Sequence, residues 1–215
     1  MPEERLLVIN PSSSAQMTAA ISAGLDGFSR LGGPTIECLR IEDGPITIST
    51  EAEILRCSLQ VGNIVAQRTD AAAVVIACYA QPGLHYARSR TTAPVIGIQD
   101  AAVLTALNLA DRFGVIALSP ASINRHLRNL RWLGVEHRLA GEVVLTPGGE
   151  GDEALLAAMV EAGQQLKTKG AQAVIFGCAQ FSAYRAGVEE ALGLPVIDPT
   201  QAAVAMALGQ VCRSR

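Results

Sequence analysis

Two stretches decide the reading of this chain: "AAAVVIACYAQPGL" at residues 71–84 and "AQAVIFGCAQFSAY" at residues 171–184. Each opens with a short apolar run that lacks the period-two alternation of a half-solvated strand, which predicts a strand buried on both faces of a parallel sheet. Each run ends on a thiol, Cys78 or Cys178, one hundred positions apart. In open parallel sheets ligands sit beyond the carboxyl ends of the strands, so both thiols are predicted at ligand-facing positions.

Working outward, similar runs recur at "RLLVIN", "TIECLRI", "APVIGI", "RFGVIALS", "LAGEVVL" and "LPVIDPT", with helical patterns between most of them. These include an alanine-rich segment from Ser14, a helix from about Glu51 to Arg68 and a last helix from Gln201. The βαβα order predicts an α/β fold with parallel sheets. The second half also repeats the first: Ala71, Ala73, Val74 and Cys78 match Ala171, Ala173, Val174 and Cys178, "PVIGIQDAAV" from Pro94 matches "PVIDPTQAAV" from Pro195, and "LLVINPSSS" resembles "GVIALSPAS". The expectation is two similar lobes, each a parallel sheet flanked by helices, with the active site in the crevice between them. Residues 1–98 with 199–215 make the first lobe, the last helix returning to it, and residues 99–198 make the second.

The chain is long enough, at 215 residues and 49% hydrophobic, to bury a full core without staples. Its 17 basic and 20 acidic residues leave a net charge of −3, which gives no electrostatic reason to expect nucleic acid or an anionic membrane and points to a small-molecule partner. "MPEERLLVIN" has acids where a signal peptide carries positive charge, and no run reaches the roughly 20 apolar residues of a bilayer span, so a cytoplasmic protein is expected. The five cysteines form no CxxC pair and are expected as free thiols. Cys38, Cys57 and Cys212 read as small hydrophobes.

A thiolate is favoured near a helix N-terminus, and the segments after Cys78 and Cys178 are predicted to supply one, with Pro82 in a first turn and Ser182 as a cap. Two such thiols on opposite faces of a carbon acid can invert its stereocentre without a cofactor, one removing the proton and the other returning one. Contact on both faces sets the sulfurs roughly 7 Å apart, too far to form a disulfide.

At these residues the chain resembles the cofactor-independent aspartate/glutamate racemase superfamily, within it the hydantoin and allantoin racemase branch. "VINPSSSAQMT" is similar to that branch's N-terminal segment, "ACYAQPGL" and "FGCAQF" to its two cysteine motifs, and "PVIGIQDAA" to its "PVxGIxEAA" segment. The resemblance implies a two-lobed fold, proton transfer by Cys78 and Cys178, no cofactor and no metal, and a homo-oligomer. Two positions depart from the branch pattern: Gln81 stands where Asp is usual, and Gln180-Phe181 where Gly-Met is frequent. They leave the substrate open.

No lysine, arginine or histidine is close in sequence to either cysteine, so a neutral substrate fits better than a free amino acid, whose two charges need directed partners. A hydantoin-like cyclic amide suits the polar groups of Asn10, Ser119, Gln81 and Gln180, and backbone N–H groups of Tyr79, Ala80, Ala179 and Gln180 are candidates to stabilise an enolate-like oxygen. Asp198 reads as a turn or cap residue. "TPGGEGDE" matches neither GxGxxG nor a P-loop; Arg125, Arg128 and Arg131 read as a solvated or subunit-contact face, and His85, His126 and His137 as surface residues. Competing readings are an amino-acid racemase, a maleate isomerase or an arylmalonate decarboxylase type of the same superfamily, a non-catalytic two-lobed binding protein, and a thiol redox protein.

Overall fold

The computed structural model describes residues 4–29 and 33–213. Residues 1–3, 30–32 and 214–215, which the sequence assigns to the first lobe, lie outside the described residues. Two compact units result: one takes the chain as far as Ala101 and resumes at Thr200, and the other runs Ala102–Pro199.

The first unit holds β1 (Arg5–Asn10), α1 (Ala15–Gly24), α2 (Asp26–Ser29), β2 (Thr35–Arg40), α3 (Glu51–Gln67), β3 (Ala71–Ile76), α4 (Leu84–Arg88) and β4 (Val95–Gly97). Helix α5 (Ile98–Leu109) carries the chain into the second unit. There follow β5 (Phe113–Ala117), α6 (Pro120–Trp132), β6 (Leu139–Val144), α7 (Asp152–Thr168), β7 (Ala173–Phe176), α8 (Arg185–Leu192) and β8 (Val196–Ile197), and α9 (Pro199–Arg213) brings it back. All eight strand-like runs of the sequence are strands. The sheet orders are β2-β1-β3-β4 and β6-β5-β7-β8, parallel throughout and equivalent strand for strand.

The apolar runs are buried as their composition requires. Leu6 to Ile9 of β1, Ala73 to Ile76 of β3 and Ala173 to Phe176 of β7 are at most 1% exposed, because helices cover both faces of a parallel sheet. Helix α3 starts with a reciprocal capping box: Glu53 N–H donates to Thr50 Oγ1 at 3.2 Å and Thr50 N–H to Glu53 Oε2 at 2.8 Å, an arrangement that contributes about 1 kcal/mol. Helix α9 is tied to the first unit by Gln201 Nε2, which donates to the Gly24 carbonyl at 2.9 Å.

Charge collects at the amino ends of β1 and β3, away from the thiols. Arg68 donates to both oxygens of Glu37 and both of Asp70 at 2.7–2.9 Å, with Arg5 completing the network at 3.0 Å from Glu37. Arg68 is the main reason that both carboxyls titrate low, Asp70 at about 2. Their stabilising effect is therefore complete above the unfolded values of 4.5 for Glu37 and 3.8 for Asp70, and is lost as pH falls through the folded values. Among the three histidines, His85 and His137 are exposed, but His126 is not on the surface. Ser122, His126 and Leu130 form the inward stripe of α6, four residues apart, and His126 Nδ1 lies 2.7 Å from Glu142 Oε2 with both side chains at most 3% exposed. Glu142 Oε1 is buried with no hydrogen-bond partner among the described residues.

Two outcomes are expected. His126→Ala strands the Glu142 carboxylate and should cost about 3–5 kcal/mol in urea unfolding, whereas Glu142→Gln, which keeps an acceptor for the imidazole, should cost far less. Arg68→Ala should flatten the loss of stability on acidification, so that its urea midpoint falls less than that of the native protein between about pH 5 and about pH 2.

Candidate active site

The site can be built from two matched hydrogen bonds. Ala77 N–H donates to the Ile9 carbonyl at 2.8 Å, and Gly177 N–H donates to the Ile116 carbonyl at 2.8 Å. Each is the last bond between a thiol-bearing strand and the central strand of its sheet, and the cysteine follows it directly. Val74 N–H to the Pro94 carbonyl at 2.8 Å and Val174 N–H to the Pro195 carbonyl at 2.9 Å repeat the match at the strand beyond. Cys78 and Cys178 thus occupy equivalent places, two residues past β3 and β7. Residue 177 is glycine for a steric reason: a Cβ there would come within 2.7 Å of the Ile116 carbonyl oxygen.

Neither thiol stands directly at a helix N-terminus, contrary to the sequence reading. Pro82 lies in a turn ahead of α4, which begins at Leu84 behind Gly83. Ser182 opens a short 3-10 turn, Ser182–Tyr184, and its hydroxyl does not cap a helix; it donates to Asp198 Oδ2 at 2.8 Å. Asp198, expected as a turn or cap residue, is 2% exposed and anchors the Cys178 loop in this way.

The predicted substrate-binding residues divide by what their side chains already do. Asn10 lies at the end of β1, 2% exposed, and is engaged with its own loop: its Oδ1 accepts from Ser12 N–H at 3.0 Å, and its Nδ2 donates to Thr18 Oγ1 at 3.0 Å and to the Ser14 carbonyl at 3.3 Å. Ser14 in turn caps α1 by accepting from Met17 N–H at 3.1 Å. The "NPSSSAQMT" motif is therefore one polar knot. Gln81 is buried, with its amide on Asp100: Nε2 donates to Asp100 Oδ1 at 2.8 Å and Oε1 accepts from Asp100 N–H at 2.9 Å. Ser119 sits at the N-cap of α6 beyond β5, yet its hydroxyl makes no capping bond. Tyr79 and Ala179, directly after the thiols, are buried, and Ala80 and Gln180 are half-buried. Phe181, one of the departures from the branch pattern, is a core residue: its ring meets Phe176 and Tyr184 edge to face at 5.9 and 6.3 Å.

The five thiols differ in setting. Cys78 is half-buried and Cys178 is 7% exposed. Cys57 is fully buried, with its Sγ 3.4 Å from the Pro11 carbonyl, and burial pushes its thiol up; burial does the same to half-buried Cys38, partly opposed by a hydrogen bond from Ser22. Cys212 is exposed. No group of three metal-ligating side chains occurs among the described residues. Two open depressions, of about 690 Å³ beside Arg68 and Pro94 and of about 450 Å³ beside Glu142 and Lys169, include neither Cys78 nor Cys178.

Strand-equivalent parallel sheets with a thiol at the same position of each define a two-unit α/β fold, and comparison with known proteins names the group. Residues 6–207 match the Asp/Glu/hydantoin racemase family, to which the chain belongs. It is 34% identical to the hydantoin racemase of Rhizobium meliloti over 93% of this chain and 86% of that one, and 29% identical to the hydantoin racemase of Paenarthrobacter aurescens over 94% and 89%. The solved allantoin racemase from Klebsiella pneumoniae superimposes with a TM-score of 0.86 at 26% identity, over 98% of this chain and 89% of that one. The enzyme is thus an isomerase of the racemase type.

Brief treatment with iodoacetamide at about pH 8 should label Cys212 and Cys78 ahead of Cys57, whose thiol is both enclosed and harder to ionise. Peptide mass spectrometry reads the order directly, and equal labelling of Cys57 and Cys78 would contradict it.

Proposed function

We propose that the enzyme racemises a small neutral carbon acid, a hydantoin-like cyclic amide, with Cys78 and Cys178 as the two proton-transfer groups. The observation that carries this reading is the matched termination of β3 and β7, which sets the two thiols at equivalent strand ends in a chain of the racemase family. The similarity to named hydantoin and allantoin racemases supports the substrate class. In this reading the two thiols act on opposite faces of one stereocentre.

One cysteine begins as thiolate and takes the proton from carbon. The C–H bonding pair moves into the adjacent carbonyl, giving an enolate-like oxygen. The opposite cysteine, still a thiol, then delivers its proton to the other face, so the product is the mirror image and the two sulfurs have exchanged protonation states. The reverse reaction, or exchange of protons with water, resets them. A C–H next to an imide-like carbonyl is more acidic than the α-carbon of an amino-acid carboxylate, which leaves less barrier for the protein to remove. Backbone N–H groups of Tyr79, Ala80, Ala179 and Gln180 are the donors proposed for the developing oxygen. The Ser119 hydroxyl, not spent on its helix, is the side chain proposed to meet a ring polar group. Asn10 and Gln81 shape their loops.

The proposed setting is a reducing cytoplasm, where thiols stay free, and the proposed assembly is a homo-oligomer. In support of the latter, Leu55 and Leu59 lie one turn apart on α3 and are 68% and 61% exposed.

Single enantiomers of 5-substituted hydantoins, allantoin, aspartate and glutamate, incubated with the enzyme in D₂O, test the reading. Loss of optical rotation with deuterium uptake at carbon is expected for the cyclic amides. Cys78→Ala and Cys178→Ala should each lower racemisation by at least about 10³-fold, as removal of a proton-transfer group does. Full turnover by either variant would sink the two-thiol mechanism, and tight binding without exchange would indicate a binding protein.

A further inference from the structure

Gln81 combines two features that no other described residue shares. It is the only non-glycine residue among them with a positive φ, 50°, a left-handed conformation that a residue with a Cβ rarely holds unaided. Both ends of its side-chain amide are also committed to a single residue, Asp100, at the start of α5. Its own N–H closes the turn onto the Cys78 carbonyl at 2.8 Å. The amide lies so close over β4 that a Cβ on Gly97 would stand 2.0 Å from Gln81 Oε1, so the glycine leaves the room the amide occupies. Backbone strain, a fork of two hydrogen bonds and a steric slot thus converge on the residue three beyond the thiol.

We infer that Gln81 and Asp100 form a lock that holds the Cys78 turn in its left-handed course and so sets the direction of the thiol, which makes Gln81 a positioning residue and not a substrate contact. The chemistry of the pair is one-way. Asp100 offers a backbone donor and a carboxylate acceptor, and only a side chain with an acceptor and a donor in the geometry of a primary amide answers both. In this chain a glutamate at position 81 keeps the acceptor for the Asp100 N–H but loses the Nε2 donor to Asp100 Oδ1. The second unit holds its thiol loop by other means, the Phe181 ring in the core and the Ser182–Asp198 hydrogen bond, so the lock belongs to Cys78 alone. Its activity arm rests on the racemase reading above; its thiol arm does not.

The test uses the full-length enzyme and three variants: Gln81→Glu, Gln81→Gly, and the double variant Gln81→Glu with Asp100→Asn. Two readouts are taken: the ratio of iodoacetamide labelling rates at Cys78 and Cys178 within one molecule, and kcat and KM for racemisation of a 5-substituted hydantoin. Gln81→Glu loses the donor to Asp100 Oδ1 and should change the labelling ratio by about tenfold and lower kcat by about tenfold, with KM held within about threefold. Gln81→Gly, which makes the positive φ costless but has no amide, should shift the ratio too, separating the lock from backbone strain. In the double variant the amide nitrogen introduced by Asp100→Asn can donate to the new carboxylate at the native net charge, and both readouts should return towards native values.

An unchanged ratio in Gln81→Glu, no recovery in the double variant, or a raised KM at native kcat would each overturn the inference. If Gln81→Glu does not fold, the ratios of the other two variants decide it by the same criteria. If the native enzyme leaves hydantoins unchanged, the substrate reading fails while the labelling ratio still decides the lock.

Discussion

The last hydrogen bond of the parallel ladder, from the residue before each cysteine to the central strand of its sheet, is the constraint on which the rest of the structure depends. It fixes where the strand stops, and therefore where the thiol begins, to within the tolerance of a single N–H to carbonyl contact. It survives because helices cover both sheet faces, leaving that backbone no water to turn to and only the neighbouring strand as partner. The close passage of β5 behind residue 177 shows how little room is left at this point, since even one methyl group would meet the Ile116 carbonyl.

Past those last bonds the two halves of the chain part company. The Cys78 loop is held by a polar fork and a residue in an uncommon backbone conformation, and the Cys178 loop by aromatic packing and one hydroxyl-to-carboxylate bond. The first device depends on directed hydrogen bonds and the second largely on burial. Near-identical strands thus carry loops of unlike mechanical character, as expected when a repeated framework is kept by its core while its loops vary.

Charge follows the same division of labour. Arginine and carboxylate groups are concentrated at the amino ends of β1 and β3, where Arg68 serves two acids at once, while the loops after the thiols carry amides, hydroxyls and backbone groups. An arginine beside a strand-end cysteine would favour the thiolate and also attract anionic ligands. The residues flanking Cys78 and Cys178 include none. The buried His126–Glu142 pair joins α6 to the edge strand β6.

The strands, their parallel arrangement, the internal repeat and the placement of Cys78 and Cys178 at strand ends were all legible along the chain, because unbroken apolar runs and their spacing are local properties that a doubly covered sheet imposes directly. Tertiary structure alone decided what the loop residues do. Gln81 meets Asp100 nineteen positions away, Ser182 meets Asp198 sixteen away, and His126 turns inward to Glu142 although the arginines around it suggest a solvated face. Such pairings leave no periodic mark, since a single polar side chain reads alike whether its partner is water, a ligand or a residue brought close by the packing of distant strands. The sequence therefore determined where the two thiols stand, and the fold determined what holds them there.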